Sequence, residues 1–188
     1  MDRSTTPLPE LPLLKRHRFT SGDVQRMIEA GILPDKARLE LIHGELIEMP
    51  SEGEPHWDAK QRLISWVLRR LPTNIELAPD GPLRLSDEEE PEPDFFLFPA
   101  AMRVNRVKGP DALLVVEIAA SSLARDLLIK APLYAAHGVR EYWIVDLENR
   151  VTLVHTLAQG AYDTPTRVAF DAALRVPGVE EPLFVAKL

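Results

Sequence analysis

LLVVEIAASSLARDLLIKAPLY, residues 113–134, decides how the rest of the chain is read. It opens on apolar, β-branched residues that spell a buried strand over 112–119. Glu117 interrupts that run. A helical pattern follows over 123–137 and stops at Gly138, and Lys130 lies within it. On a helical wheel Ala124, Leu127, Leu128, Ala131, Tyr134 and Ala135 form the inward face, with Lys130 at its edge beside Leu127 and Tyr134. REYWIVD, 140–146, is a second apolar strand. Strand, helix and strand in this order predict a parallel pair with a right-handed crossover.

Outward from this unit the elements are shorter. RVTLVHTL, 150–157, reads as a further strand, and the tail beyond 160 as one more hairpin. On the N-terminal side, segments 75–79, 81–86 and 94–98 read as short strands. HWDAKQRLISWVLRRL, 56–71, is a helix with Leu63, Ile64, Val67, Leu68 and Leu71 in its stripe, Lys60 off the stripe, and Pro72 closing it. ARLELIHGELIEM, 37–49, alternates on both sides of His43-Gly44 and predicts a hairpin. A short helix capped by Thr20 or Ser21 ends at Gly31. Residues 1–18, with Pro7, Pro9 and Pro12, read as an extended N-terminal arm, and 19–188 as one domain. The expected architecture is α/β, a mixed sheet flanked by helices.

The 188 residues contain no cysteine, which excludes disulfides and thiolate metal sites. No signal-peptide core is visible, and no run approaches the roughly 20 apolar residues of a membrane span. A cytoplasmic protein is expected, with no membrane partner. The formal net charge of −7 counts against nucleic acid as a partner, although Arg69-Arg70 and RVNRVK, 103–108, are local basic clusters.

Asp94 opens the apolar strand DFFLF directly after Pro93. Proline has no N–H and suits a strand start, so the Asp94 carboxylate is at a strand terminus. If this strand pairs with 112–119, Asp94 and Glu117 converge. Two adjacent carboxylates repel, and a divalent cation resolves the repulsion. Lys130 can bury its stem and bring its ammonium to the same place, to orient or help deprotonate a water or to offset developing charge. The structural alternatives stand beside this reading. Asp94 can cap a turn, and Glu117 can form a plain ion pair with Lys130 or an arginine.

LELIHGELIEM (39–49), PEPDFFLF (91–98), KGPDALLVVEIAASS (108–122) and RDLLIKAPLYAAHGVREYWIVD (125–146) give the chain a wider likeness. In that order they resemble the Uma-two family, a bacterial group of endonucleases with the restriction-endonuclease-like, PD-(D/E)xK fold. The resemblance covers roughly residues 20–157. It implies that Pro93-Asp94 is the PD element and Glu117 the second acid. The third residue of an ExK triplet would be Ala119, and the resemblance instead assigns the lysine to Lys130 in the following helix. It implies Mg²⁺ or Mn²⁺ on Asp94, Glu117 and the Ile118 backbone carbonyl. It also implies a further acid from the hairpin, Glu40 with Glu45 as runner-up. His56, at the start of the long helix, is a further candidate. Ala119-Ala120 where Ser-Pro is usual, and His43 where Asp is usual, depart from the family pattern.

The expected function is Mg²⁺-dependent hydrolysis of phosphodiester bonds in DNA. Cutting both strands calls for two sites or two visits, so a homodimer is expected on functional grounds. The competing reading is a catalytically idle domain of the same fold that binds protein or nucleic acid. No phosphate-cradling glycine motif, zinc spacing or nucleophile elbow occurs, and no organic cofactor is expected.

Overall fold

In the computed structural model, β5 (Leu114–Ala119) and β6 (Glu141–Asp146) run parallel, with Glu117 level with Ile144. They form the middle of a seven-stranded sheet in which every other pairing is antiparallel. The structure describes residues 16–34 and 38–188. β3 (Ile75–Pro79) and β4 (Phe95–Pro99) extend the sheet beyond β5, and β7 (Val151–Ala158) extends it beyond β6. The far edge of β7 carries β8 (Ala161–Tyr162) and β9 (Thr166–Ala169). β1 (Leu39–Ile42) and β2 (Glu45–Glu48) form a separate hairpin, tied to the loop before β4 through Leu41 and Glu90. Its turn places His43 at φ 53° and Gly44 at φ 70°, the positive pair that a two-residue hairpin demands. A side chain at Gly44 would collide with Arg18, so glycine is required twice over.

The central strands are apolar on both faces because both faces are covered. On one face Leu63, Ile64 and Val67 of α2 (Glu54–Leu68) pack with Phe95, Leu97, Val116, Ile118 and Trp143. The C-terminal segment, through Phe170, Leu174 and Leu183, completes that layer. On the other face Ala131, Leu133 and Tyr134 pack with Phe96, Val115, Tyr142 and Ile144. Counting in twos along β5 puts Glu117 on this second face with Val115 and Ala119. α1 (Ser21–Glu29) begins with a capping box between Thr20 and Asp23, as its sequence predicts, an arrangement that contributes about 1 kcal/mol.

Three expectations need correction. Residues 81–86 form no strand: the Leu83 and Leu85 amides fold back to the Pro91 and Glu89 carbonyls, 2.9 Å each. Their alternating leucines reflect burial in a prolyl loop rather than a ladder. Lys60 is 3% exposed and lies on the inward stripe of α2 rather than off it. The third correction concerns the helix after β5. It is α-helical over Leu123–Arg125, π-helical over Asp126–Lys130 and α-helical again over Ala131–Ala136; together these are α3. The wide turn shifts the register, so Asp126 and Lys130 face the core, each 0% exposed, while Leu128 swings out to 76% exposure. Ala124, also placed inward by the wheel, is exposed.

Leu128→Ser is therefore expected to change stability by less than about 0.5 kcal/mol. Leu133→Ala, one turn on, is expected to cost about 2–5 kcal/mol. Urea unfolding of both variants checks this; a loss above about 1.5 kcal/mol for Leu128→Ser would mean that the wheel, not the π-turn, describes the helix.

The expected arm, 1–18, lies almost wholly outside the described residues. Of its three described residues, Arg16 and Arg18 pair with Glu45 and Glu88. Among the described residues no helix is long and apolar enough to cross a membrane.

Candidate active site

β4 and β5 pair with Phe95 opposite Val116, which sets Asp94 beside Glu117 where the two strands end their ladder. Asp94 is held by three residues from two elements. Its Oδ2 accepts the Ile118 amide of β5 at 2.6 Å and lies 3.2 Å from His56 Nε2 of α2. Its Oδ1 is 3.7 Å from Lys60 Nζ. A strand-terminal carboxylate is free to do this because the preceding residue is Pro93, which leaves no amide to pair.

Glu117 Oε1 accepts from Lys130 Nζ at 2.7 Å and from the Tyr134 hydroxyl at 3.2 Å. Lys130 Nζ also lies 2.7 Å from Glu40 Oε1, and both Lys130 and Glu40 are fully buried. Glu40 Oε1 accepts the Glu92 amide as well, while its Oε2 has no hydrogen-bond partner among the described residues. Asp126 Oδ2 accepts from Ser122 at 2.5 Å, and its Oδ1 has no hydrogen-bond partner among the described residues but lies 3.8 Å from Arg125 Nε. Burial pushes Glu117 well up from the usual carboxylate range, and Asp126, Asp94 and Glu40 add to that against the pull of Lys130. Burial alone would discharge Lys130, but Glu117 and Glu40 overcome it and push its pKa up. The centre thus holds one firmly charged ammonium among more acids than it can neutralise.

The structure brings Asp94, Glu117, Lys130, Glu40 and His56 together. It does not bring Glu45: that residue stands at the turn end of the hairpin, its side chain 48% exposed and paired with Arg16. Glu40, two residues from the turn on the neighbouring strand, is carried inward instead.

Residues 23–183 match a family of known proteins, Uma2, described as "Putative restriction endonuclease". The chain belongs to the Uma2 family. Family membership supports a nuclease-like function. The solved structure of a putative nuclease belonging to DUF820, from Anabaena variabilis ATCC 29413, is similar with a TM-score of 0.63. That match covers 85% of this chain and 94% of the other at 17% sequence identity, and it extends the likeness to the restriction-endonuclease-like fold. None of the curated proteins matches.

In this Uma2 protein the acids open onto a cleft of about 580 Å³ whose lining includes Glu52, His56, Lys60, Asp94, Glu117 and Arg125. Sequence reasoning missed Glu52, Lys60 and Asp126. Lys60 was detectable, because positions 60, 63, 64 and 67 share one helical face. Asp126 lies four residues before Lys130, but only the π-turn brings both inward. Glu52 gave no signal, since it precedes α2 in an irregular stretch. Glu52 Oε2 accepts from Lys60 at 2.5 Å and lies 3.3 Å from His56 Nδ1. Burial opposes the His56 charge, yet the hydrogen bond and charge of Asp94, with Glu52, push its pKa up.

Proposed function

We propose that this protein is a metal-dependent nuclease that hydrolyses phosphodiester bonds in DNA. The observation that carries the reading is the convergence of Asp94, Glu117 and fully buried Lys130 at the floor of one cleft. The residues suit a divalent cation. Glu40, Glu117 and Asp94 outnumber Lys130, Glu40 keeps a buried oxygen with no hydrogen-bond partner among the described residues, and Glu117 is pushed toward its neutral form without an ion. Asp94, Glu117 and the Ile118 carbonyl would hold the ion. Ile118 directs its amide at Asp94, and the carbonyl of a strand residue points the same way. When bound, the ion supplies polarisation of a phosphate oxygen and neutralisation of charge.

The chain's own residues do the rest. Lys130, bracketed by Glu40 and Glu117, stays protonated, so it orients the site and offsets developing negative charge instead of accepting a proton. Tyr134 fixes the Glu117 carboxylate from below. Arg125, whose Nε has no hydrogen-bond partner, faces the cleft where a phosphate would enter. In the overall step a water oxygen bonds to phosphorus and one P–O ester bond breaks, leaving a phosphate monoester and a free hydroxyl.

The test is cleavage of plasmid and oligonucleotide DNA by the wild type and Asp94→Asn, side by side, in Mg²⁺, Mn²⁺ and EDTA. The expected result is metal-dependent cleavage that falls at least about 10²-fold in the variant. Equal cleavage by both proteins would rule out the site. Absence of cleavage together with absence of metal binding would favour an idle binding domain, in which Lys130 is only a structural tie.

A further inference from the structure

Asp94 stands between two clusters of potential cation ligands. On one side are Glu117 and the Ile118 carbonyl. On the other are Glu52 and His56, and one ligand atom each from Glu52, His56 and Asp94 lie within 4.8 Å of one another. In a phosphodiesterase that works with two ions, such a flanking group of nitrogen and oxygen donors would receive the second. Here an ammonium already stands there. Lys60 Nζ is 2.5 Å from Glu52 Oε2, 2.7 Å from Asp80 Oδ1 and 3.7 Å from Asp94 Oδ1. Its side chain is only 3% exposed, and its stem lies on the α2 face that also carries Leu63, Ile64 and Val67.

We propose that Lys60 is a built-in second cation: its ammonium fills the Glu52–His56–Asp94 position, and the site accepts one divalent ion, on the Glu117 side. This rests on the metal-dependent reading above. An ammonium has three donors, and Glu52, Asp80 and Asp94 surround this one, so the lysine has no reason to leave. A divalent ion brought about 4 Å from an ammonium is repelled by it, twice as strongly as a monovalent ion would be. A second ion would therefore have to displace the lysine from its acids. His56, in contact with both Glu52 and Asp94, acts as a positioning residue that holds the two carboxylates toward Lys60.

The experiment counts ions without turnover. The full chain, stripped with chelator, is titrated with Mn²⁺ while calorimetry gives the stoichiometry and electron paramagnetic resonance reports free Mn²⁺. The wild type is expected to bind one ion, lost in Glu117→Ala. Lys60→Met is expected to bind two, the second lost again when His56→Ala is added. Lys60→Gln, which removes the charge but keeps a donor for Glu52, is expected to bind two as well and covers the case in which the methionine variant does not fold. Two ions in the wild type would overturn the proposal, whatever the variants do. A single ion in wild type and in a folded Lys60 variant would also overturn it, while leaving the metal-dependent reading intact. No binding by any of these proteins would overturn both.

Discussion

Lys130→Met is expected to destabilise the protein by about 3–5 kcal/mol in EDTA, lowering Tm by roughly 6–20 °C. Among the described residues Lys130 is the one cation in contact with Glu40 and Glu117, which are 0% and 5% exposed. Removing it leaves two carboxylates in a space with little water and, among the described residues, no other positive partner within ion-pair distance. The effect is one of an uncompensated charge, not of lost packing, since methionine fills nearly the same volume. A control separates the two. Glu40→Gln/Lys130→Met/Glu117→Gln removes the charges as a set and is expected to recover most of the lost Tm, because polar groups without charge are far cheaper to bury. Cleavage should not recover: it falls by about 10²–10³-fold in the single variant and stays down in the triple. Thermal melts and cleavage assays on the same preparations check both. A loss below about 1 kcal/mol for Lys130→Met would show that water reaches these acids.

Glu117→Gln separates stability from activity in the opposite sense. Burial raises the Glu117 carboxyl well above 4.5, its ordinary value, so the folded state holds this proton more tightly than the unfolded chain does. The stability that Glu117 contributes is then fully present below pH 4.5 and is lost as pH rises through its folded value. Glutamine keeps an acceptor for Lys130 and Tyr134 but never ionises. In EDTA the variant is expected to match the wild type at pH 4.5 and to gain on it steadily at higher pH. Asp126, Glu92 and Glu141, also raised mainly by burial, remain in both proteins and cancel in the difference. With Mg²⁺ the order is expected to reverse. Only the wild type is then expected to gain the stabilisation of a ligand that binds the folded state and to cleave at full rate, with the variant lower by on the order of 10³-fold. A constant Tm difference from pH 4.5 upward would show that Glu117 is ionised throughout.

Much of the fold was legible because it is local. The strand–helix–strand unit over 112–146 is encoded in apolar runs and a terminating glycine, and the His43-Gly44 turn in two residues that tolerate positive φ. Asp94 and Glu117 were legible as charged residues inside apolar strands, and pairing of those strands did bring them together. What escaped depends on contacts far apart in sequence or on a broken period. Glu40, preferred over Glu45 from the sequence, lies on the same face of the four-residue ladder, and the distance of each from the turn decides which is carried inward and which pairs with Arg16. Leu83 and Leu85 alternate like a strand but have their hydrogen bonds drawn back into a loop. Lys60 stood on its helix's apolar face, yet a lysine there invites being read as surface, and its three acidic partners come from three separate places in the chain.

The five residues Asp126–Lys130, wound as a π-helix, have a meaning for how this protein can vary. A continuous α-helix would lock its two ends in one phase, so that any change of the residues facing the cleft would demand a matching change in the core. The wide turn acts as a phase shifter. Downstream of it, Ala131, Leu133 and Tyr134 stay keyed to the sheet. Upstream, Ser122 and Arg125 face the cleft, while Leu128 and Ile129 within the turn lie largely in solvent. The half of α3 that lines the cleft can therefore be substituted without disturbing the half that packs on the sheet behind the lysine.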